Sequence, residues 1–172
     1  LRKYETAASW FEFKSSNYNP DMIGQDISAL ANSAAYYDKA YAYMIWGVDD
    51  KTHDIVGTQF DQYSLKVGNE EIESWLRKLL SKNAEFEFFS FEMKDAQQVS
   101  KKITMLLIHK AINQTVTFKK EDYIRVGSYT KKLSDFPQMK VQLWDKIRNV
   151  RFEEQFAVQD LLGEEALQLL DY

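Results

Sequence analysis

Apolar and polar residues alternate in several short stretches of the chain, which is the period of a β-strand. Residues 10–14 read Trp-Phe-Glu-Phe-Lys, so Glu12 and Lys14 should share one face and the two phenylalanines the other. Residues 40–48 are almost all apolar or aromatic and predict a central strand covered on both sides. Further strands are predicted at 55–58, 85–93, 103–108, 115–118 and 123–126. The two longest of these should form an antiparallel pair.

Helical periodicity appears between these stretches. Asn19 and Pro20 form a cap and first turn, and apolar residues then recur at helical spacing over 23–34, a helix that Asn32 should end. A second amphipathic helix is predicted over 69–80 and a third from Pro137 onwards, with more helix near the C-terminus. The sequence therefore predicts an α+β fold, with a mixed, largely antiparallel sheet packed with amphipathic helices.

Two units are predicted along the chain: a domain over 1–136 and a helical extension over 137–172. The extension should lead to a further region downstream.

Composition and charge narrow the function classes. No apolar stretch approaches the roughly 20 residues that a bilayer requires, and the absence of cysteine agrees with a reducing, cytoplasmic location. The net charge of −4 is unevenly spread, because residues 101–151 carry twelve Lys and Arg against four acids. Such a block can form a cationic surface that binds a polyanion. Alternatively, its charges are solvated separately and form no common surface patch.

Five short motifs follow one another in a distinctive order. They are Phe11–Lys14, 27–33, 46–50, 55–58 and 123–130. In this order and spacing they resemble the Schlafen-type AlbA_2 domain. The resemblance implies a mixed α/β fold and association with nucleic acid, DNA or RNA, in longer proteins similar to transcriptional regulators or to ATP-binding proteins.

The same resemblance implies a second function, because related animal domains are RNA-cleaving nucleases. By resemblance, Glu12 and Asp49 would be catalytic carboxylates that hold Mg²⁺ or Mn²⁺, and Lys14 would steady a phosphate. No cofactor is certain. The position of the third family carboxylate holds Ala7, and the upstream acid, Glu5, lies two residues farther away, so weak or absent cleavage is expected. Alternatively, Glu12 pairs with Lys14 or an arginine, and Asp49 only shapes a turn.

The region around residues 119–132 is the predicted binding surface. A glycine that follows a strand allows close backbone approach, and hydroxyl groups and cations can grip phosphate oxygens. The candidate residues are Lys119, Lys120, Arg125, Ser128, Thr130, Lys131 and Lys132. An ordinary surface turn with solubilising lysines is the alternative. The leading hypothesis is a nucleic-acid-binding regulatory module, followed by a metal-dependent nuclease and by an interaction or homo-oligomerisation module.

Overall fold

The structure, a computed structural model, describes residues 9–16 and 18–148. Nine strands, three α-helices and one short 3₁₀ helix make up this part of the chain. Their bounds are β1 Phe11–Lys14, α1 Pro20–Tyr36, β2 Tyr41–Trp46, β3 Lys66–Val67, β4 Glu70–Glu71, α2 Ile72–Leu79, β5 Phe86–Lys94, β6 Ser100–His109, β7 Thr117–Phe118, β8 Glu121–Val126, β9 Tyr129–Lys132, the 3₁₀ helix Leu133–Asp135 and α3 Pro137–Arg148. The predicted α+β class is confirmed.

The main sheet has the strand order β1-β2-β6-β5. Strand β1 runs parallel to β2, with Phe13 opposite Ile45, and α1 forms the crossover that a parallel connection needs. The other two pairings are antiparallel, including the predicted pairing of β5 with β6. All six residues of β2 are buried, as the apolar run predicts. Two smaller sheets have the orders β3-β4 and β7-β8-β9.

The largest core lies between one face of the main sheet and the helices. Ile27 and Leu30 of α1 and Leu76 of α2 belong to it, together with Trp46 of β2. Leu143 of α3 is also fully buried there, so α3 packs into the same core as the predicted domain. Among the described residues, none of the α-helices has the length and the apolar composition of a membrane span.

The opposite face of the main sheet has its own apolar cluster. Phe11 and Phe13 of β1 lie here beside Tyr43 and Ile45 of β2. The ring of His53, in the turn after β2, lies 5.1 Å from the ring of Phe13. The alternation in residues 10–14 therefore has a clear structural cause: phenylalanines face this cluster, and Glu12 and Lys14 face the α1 side.

Several sequence expectations need correction. Residues 55–58 form no strand, because only an isolated bridge joins Ile55 to Val48. Strands β3, β4 and β9 lie where the sequence pattern predicts no strand. Helix α1 continues past Asn32 to Tyr36, and Asn32 is fully buried. The predicted helix near the C-terminus lies outside the described residues, as do Glu5 and Ala7.

Candidate functional site

Buried polar side chains of α1 bind the backbone of Val116, which directly precedes β7, and of Tyr123 in β8. The amide Nδ2 of Asn32 donates to the carbonyl oxygens of Val116 at 2.9 Å and Tyr123 at 2.8 Å, and the Val116 N–H donates to Asn32 Oδ1 at 2.8 Å. Ser28 Oγ donates to the Val116 carbonyl at 2.7 Å and accepts from the Tyr123 N–H at 3.1 Å. These bonds satisfy backbone groups that no neighbouring strand satisfies, which gives motif 27–33 a structural role.

Arg125 is fixed by both its backbone and its side chain. Its N–H donates to Ser33 Oγ at 2.9 Å. Its side chain is only 2% exposed, and the guanidinium donates to Glu12 Oε2 and, at 3.1 Å, to Thr130 Oγ1. The structure therefore places Arg125 in the interior, away from the surface where the sequence predicts a phosphate contact.

Four charged side chains meet here, and we call them the buried ion cluster: Glu12, Lys14, Asp26 and Arg125. Lys14 Nζ lies 3.3 Å from Glu12 Oε1 and 3.0 Å from Asp26 Oδ2. Arg125 Nη1 lies 3.9 Å from Asp26 Oδ1, which also accepts a 2.6 Å hydrogen bond from Thr130 Oγ1. Two acids balance two cations, so the cluster has no excess charge with which to attract a phosphate or a metal ion. It joins β1, α1 and the β8–β9 hairpin.

Asp49 has a local role in the turn after β2. Its Oδ1 accepts hydrogen bonds from the backbone N–H groups of Thr52 at 2.8 Å and Lys51 at 2.9 Å, and from Thr52 Oγ1 at 3.3 Å. The bond from the Thr52 N–H, followed by that from Lys51, lowers the pKa of this carboxyl. Asp49 thus shapes the turn, which is one of the two roles that the sequence left open.

The described contacts engage Glu12 and Asp49 separately, and none of them joins the two carboxylates. Glu12 faces the buried ion cluster on the α1 side of the sheet. The turn that holds Asp49 contacts the other side, because His53 packs on Phe13, the neighbour of Glu12 on the opposite face. In the part of the chain that the structure describes, no group of three or more His, Cys, Asp or Glu residues could hold a metal ion.

The two turns of the predicted binding region lie at opposite ends of β8, and its remaining lysines, Lys131 and Lys132, lie on β9 between them. Lys119 and Lys120 form the turn that precedes the strand, whereas Gly127 and Ser128 form the turn that follows it. Six residues separate the two turns, and at about 3.3 Å per residue this is a distance of roughly 20 Å. At this separation the two turns cannot form one compact binding patch.

Many of the cations in the basic block are paired with acids, some from the block itself and most from other parts of the chain. Lys119 pairs with Asp21, and Lys132 Nζ lies 3.0 Å from Glu121, whose hydrogen bond raises the pKa of the lysine. Within residues 101–148, the cations with an acidic partner are Lys101, Lys102, Lys119, Arg125, Lys132, Lys140 and Lys146. Most of the basic block is therefore neutralised locally. Lys120 and Lys131 are exposed and have no acidic partner among the described residues.

The β8–β9 hairpin presents one set of side chains outwards and another inwards. Gly127 has a φ of +60°, which suits the two-residue turn, and Ser128 beside it is exposed. Thr130 points inwards to the buried ion cluster. Its neighbours Tyr129 and Lys131 point outwards, with Tyr129 68% exposed and Lys131 Nζ 5.7 Å from the centre of the tyrosine ring.

Sequence reasoning missed two residues of this region, Asp26 and Tyr129. Asp26 lies between Ile23 and Ile27 in a helix whose apolar residues face the core, so helical spacing alone places a carboxylate on the buried face. The alternation over β9 could have marked Tyr129 as the outward neighbour of Thr130.

The fold and site define an α+β domain in which polar residues of one helix organise a second, smaller sheet. The model of the Schlafen AlbA_2 family matches residues 8–134, and the chain belongs to this family. Membership supports a nucleic-acid-related role in general terms.

Comparison with individual proteins adds little. No curated protein gives a significant match to the chain. Among solved structures, the chain is similar to the DIP2311 protein from Corynebacterium diphtheriae, with 13% identity and a TM-score of 0.42. The match covers 72% of this chain and 22% of that one, and a similarity at this level carries no argument about function.

Proposed function

We propose that this chain is a nucleic-acid-binding module of regulatory type, and that the β8–β9 hairpin is its contact surface. The observation that carries the proposal is the division of the hairpin into an anchored inner face and an exposed outer face. Arg125 and Thr130 hold the inner face on the buried ion cluster. Ser128 and Lys131 are left at the surface, where a hydroxyl group and an unpaired cation suit phosphate oxygens.

Anchoring matters for affinity because a ligand then does not have to order the hairpin. Ordering of a mobile loop and its side chains costs free energy at the moment of binding, and a surface that is already fixed avoids this cost. The proposed contact surface is small and weakly charged, so affinity should be modest and should fall as salt rises. Each phosphate contact that releases a counterion contributes to the slope of that dependence.

The test is titration of labelled DNA and RNA with the chain at several salt concentrations. We expect Lys131→Glu to weaken binding and to flatten its salt dependence. Lys94→Glu is a matched control, because Lys94 is an exposed lysine at the end of β5 in the other sheet. The proposal is wrong if the parent chain binds neither DNA nor RNA at low salt, or if the Lys131 and Lys94 variants behave alike.

The same reactions distinguish the other functions. A nuclease would produce new ends in the presence of Mn²⁺, and this activity should disappear in Glu12→Ala and Asp49→Ala. The geometry gives this function less support, since Glu12 is engaged by Arg125 and Lys14, and Asp49 by its own turn. An interaction module would neither bind nor cleave nucleic acid.

A further inference from the structure

We infer that Tyr129 is a stacking platform for an unpaired base, so that the module prefers single-stranded nucleic acid to a duplex. This inference rests on the proposed function and names the kind of nucleic acid that the same hairpin takes. It starts from an aromatic ring that contributes little to the fold: at 68% exposure, Tyr129 leaves most of its surface in water. Aromatic rings are usually the most effective material for a core, so an exposed and well-anchored ring suits a binding role.

The position of Tyr129 is fixed by its neighbours in the strand. Val126 lies opposite it in the hairpin, and the next residue, Thr130, is hydrogen-bonded to Asp26 and Arg125 of the buried ion cluster. The ring is therefore presented by an element with little freedom to move.

A cation lies beside this ring. Lys131 Nζ is 5.7 Å from the ring centre, because residues two apart in a strand share a face. Proteins that bind single strands combine these two features: an aromatic ring that stacks on a base and a cation that follows the phosphate backbone. Stacking needs a base face that is free, and in a duplex each base face is already covered by its neighbours. Only the phosphate contact of Lys131 remains available to a duplex.

Tyr63 offers a control with nearly the same chemistry. It is 74% exposed, but among the described contacts no cation lies over its ring, and the nearby carboxylate of Asp61 accepts from its N–H. The lysine described beside Asp61, Lys102, has its Nζ 3.8 Å from Asp61 Oδ1, so the cation in this neighbourhood is already paired with an acid. If an exposed tyrosine were sufficient for base stacking, substitution of Tyr63 and substitution of Tyr129 would weaken single-strand binding equally.

The experiment compares binding of the full chain to three fluorescently labelled probes: an unstructured pyrimidine DNA strand, the corresponding RNA strand and a DNA duplex of equal length. The variants are Tyr129→Ala, Tyr129→Phe and Tyr63→Ala, each with its fold checked by circular dichroism. We expect Tyr129→Ala to weaken single-strand binding roughly 5- to 150-fold, the usual range for loss of one base stack, and to leave duplex binding unchanged. Tyr129→Phe, which keeps the ring, and Tyr63→Ala should bind like the parent.

Two results would overturn the inference and leave the proposed function in place. One is single-strand binding by Tyr129→Ala that equals the parent; the other is an equal loss of single-strand and duplex binding. A parent chain that binds none of the probes would remove both the inference and the proposed function.

Discussion

Replacement of Asn32 by alanine should be among the most damaging single substitutions in this domain. The side chain makes three hydrogen bonds of 2.8–2.9 Å to the backbone of Val116 and Tyr123, in a site with no exposure to solvent. The Val116 carbonyl keeps a second donor, Ser28 Oγ, when Asn32 is truncated. The Val116 N–H and the Tyr123 carbonyl lose the partners that Asn32 supplies.

The expected loss follows from these two groups. A buried backbone group without a partner costs about 1–3 kcal/mol, so two cost about 2–6 kcal/mol. Native domains of this size have a free energy of unfolding of only about 5–15 kcal/mol, so the substitution should remove a large part of it. Asn32→Asp should be no better at neutral pH, because it places a charge against two carbonyl oxygens. Its deficit should shrink as the pH is lowered and the carboxyl gains a proton that it can donate.

Urea unfolding followed by tryptophan fluorescence gives the free energy of unfolding for each variant, with the buried Trp46 as a reporter of the core. The matched control is Asn83→Ala. Asn83 is half-buried, and its Nδ2 donates to the carbonyl oxygens of Gln114 at 2.9 Å and Thr115 at 3.4 Å, both nearer to solvent than the bonds of Asn32, so its loss should cost only about 0.5–1.5 kcal/mol. Equal losses for the Asn32 and Asn83 variants would refute the idea that α1 organises the second sheet.

Three further substitutions test other parts of the structure. Gly24→Ala should lower the free energy of unfolding by about 1–3 kcal/mol or more, because the added Cβ would lie 2.3 Å from the ring of Phe118. Alanine favours helix more than glycine does, so a stabilised variant would contradict this packing. Arg125→Met should lower the free energy of unfolding in urea by about 3–5 kcal/mol, since it leaves buried carboxylates in excess. Adding Glu12→Gln to this variant should recover part of the loss, and no recovery would argue against the ion pair. The lowered pKa of Asp49 stabilises the folded parent above the ordinary carboxyl pKa, and this contribution is lost as the pH falls through the lowered pKa. Asp49→Asn should remove the contribution. Parallel acid-unfolding curves for parent and variant would contradict the lowered pKa.

The elements of the main sheet could be predicted because each is recorded locally in the sequence. The alternation over residues 10–14, the apolar run of β2 and the cap at Asn19 all correspond to observed features, and Asn19 Oδ1 accepts from the Met22 N–H at 3.2 Å. Each of these signals depends on neighbours within a few positions. The pattern over 55–58 also looks like a strand locally, but the chain gives it only one bridge.

The site could be predicted less well, because its contacts join distant parts of the chain. The motif at 123–130 marks Arg125 as important, but nothing nearby shows that Glu12, 113 residues away, neutralises it inside the protein. The basic block similarly does not reveal that acids such as Asp21 and Asp38 lie against its lysines. Whether a positively charged residue adds to a cationic surface can be judged from sequence only when any acidic partner is also near in sequence.

The hydrogen bonds from α1 to the second sheet have a consequence for the order of folding during synthesis. Ser28 and Asn32 join residues 84 to 95 positions later in the chain. Until Val116 and Tyr123 have left the ribosome, these polar groups have no backbone to bind, and the helix cannot bury that face without cost. Helix α1 and the first strands are therefore made long before they can reach their final packing. In the nascent chain this face of α1 has to stay hydrated or bound to a chaperone until the β7–β8 segment has emerged.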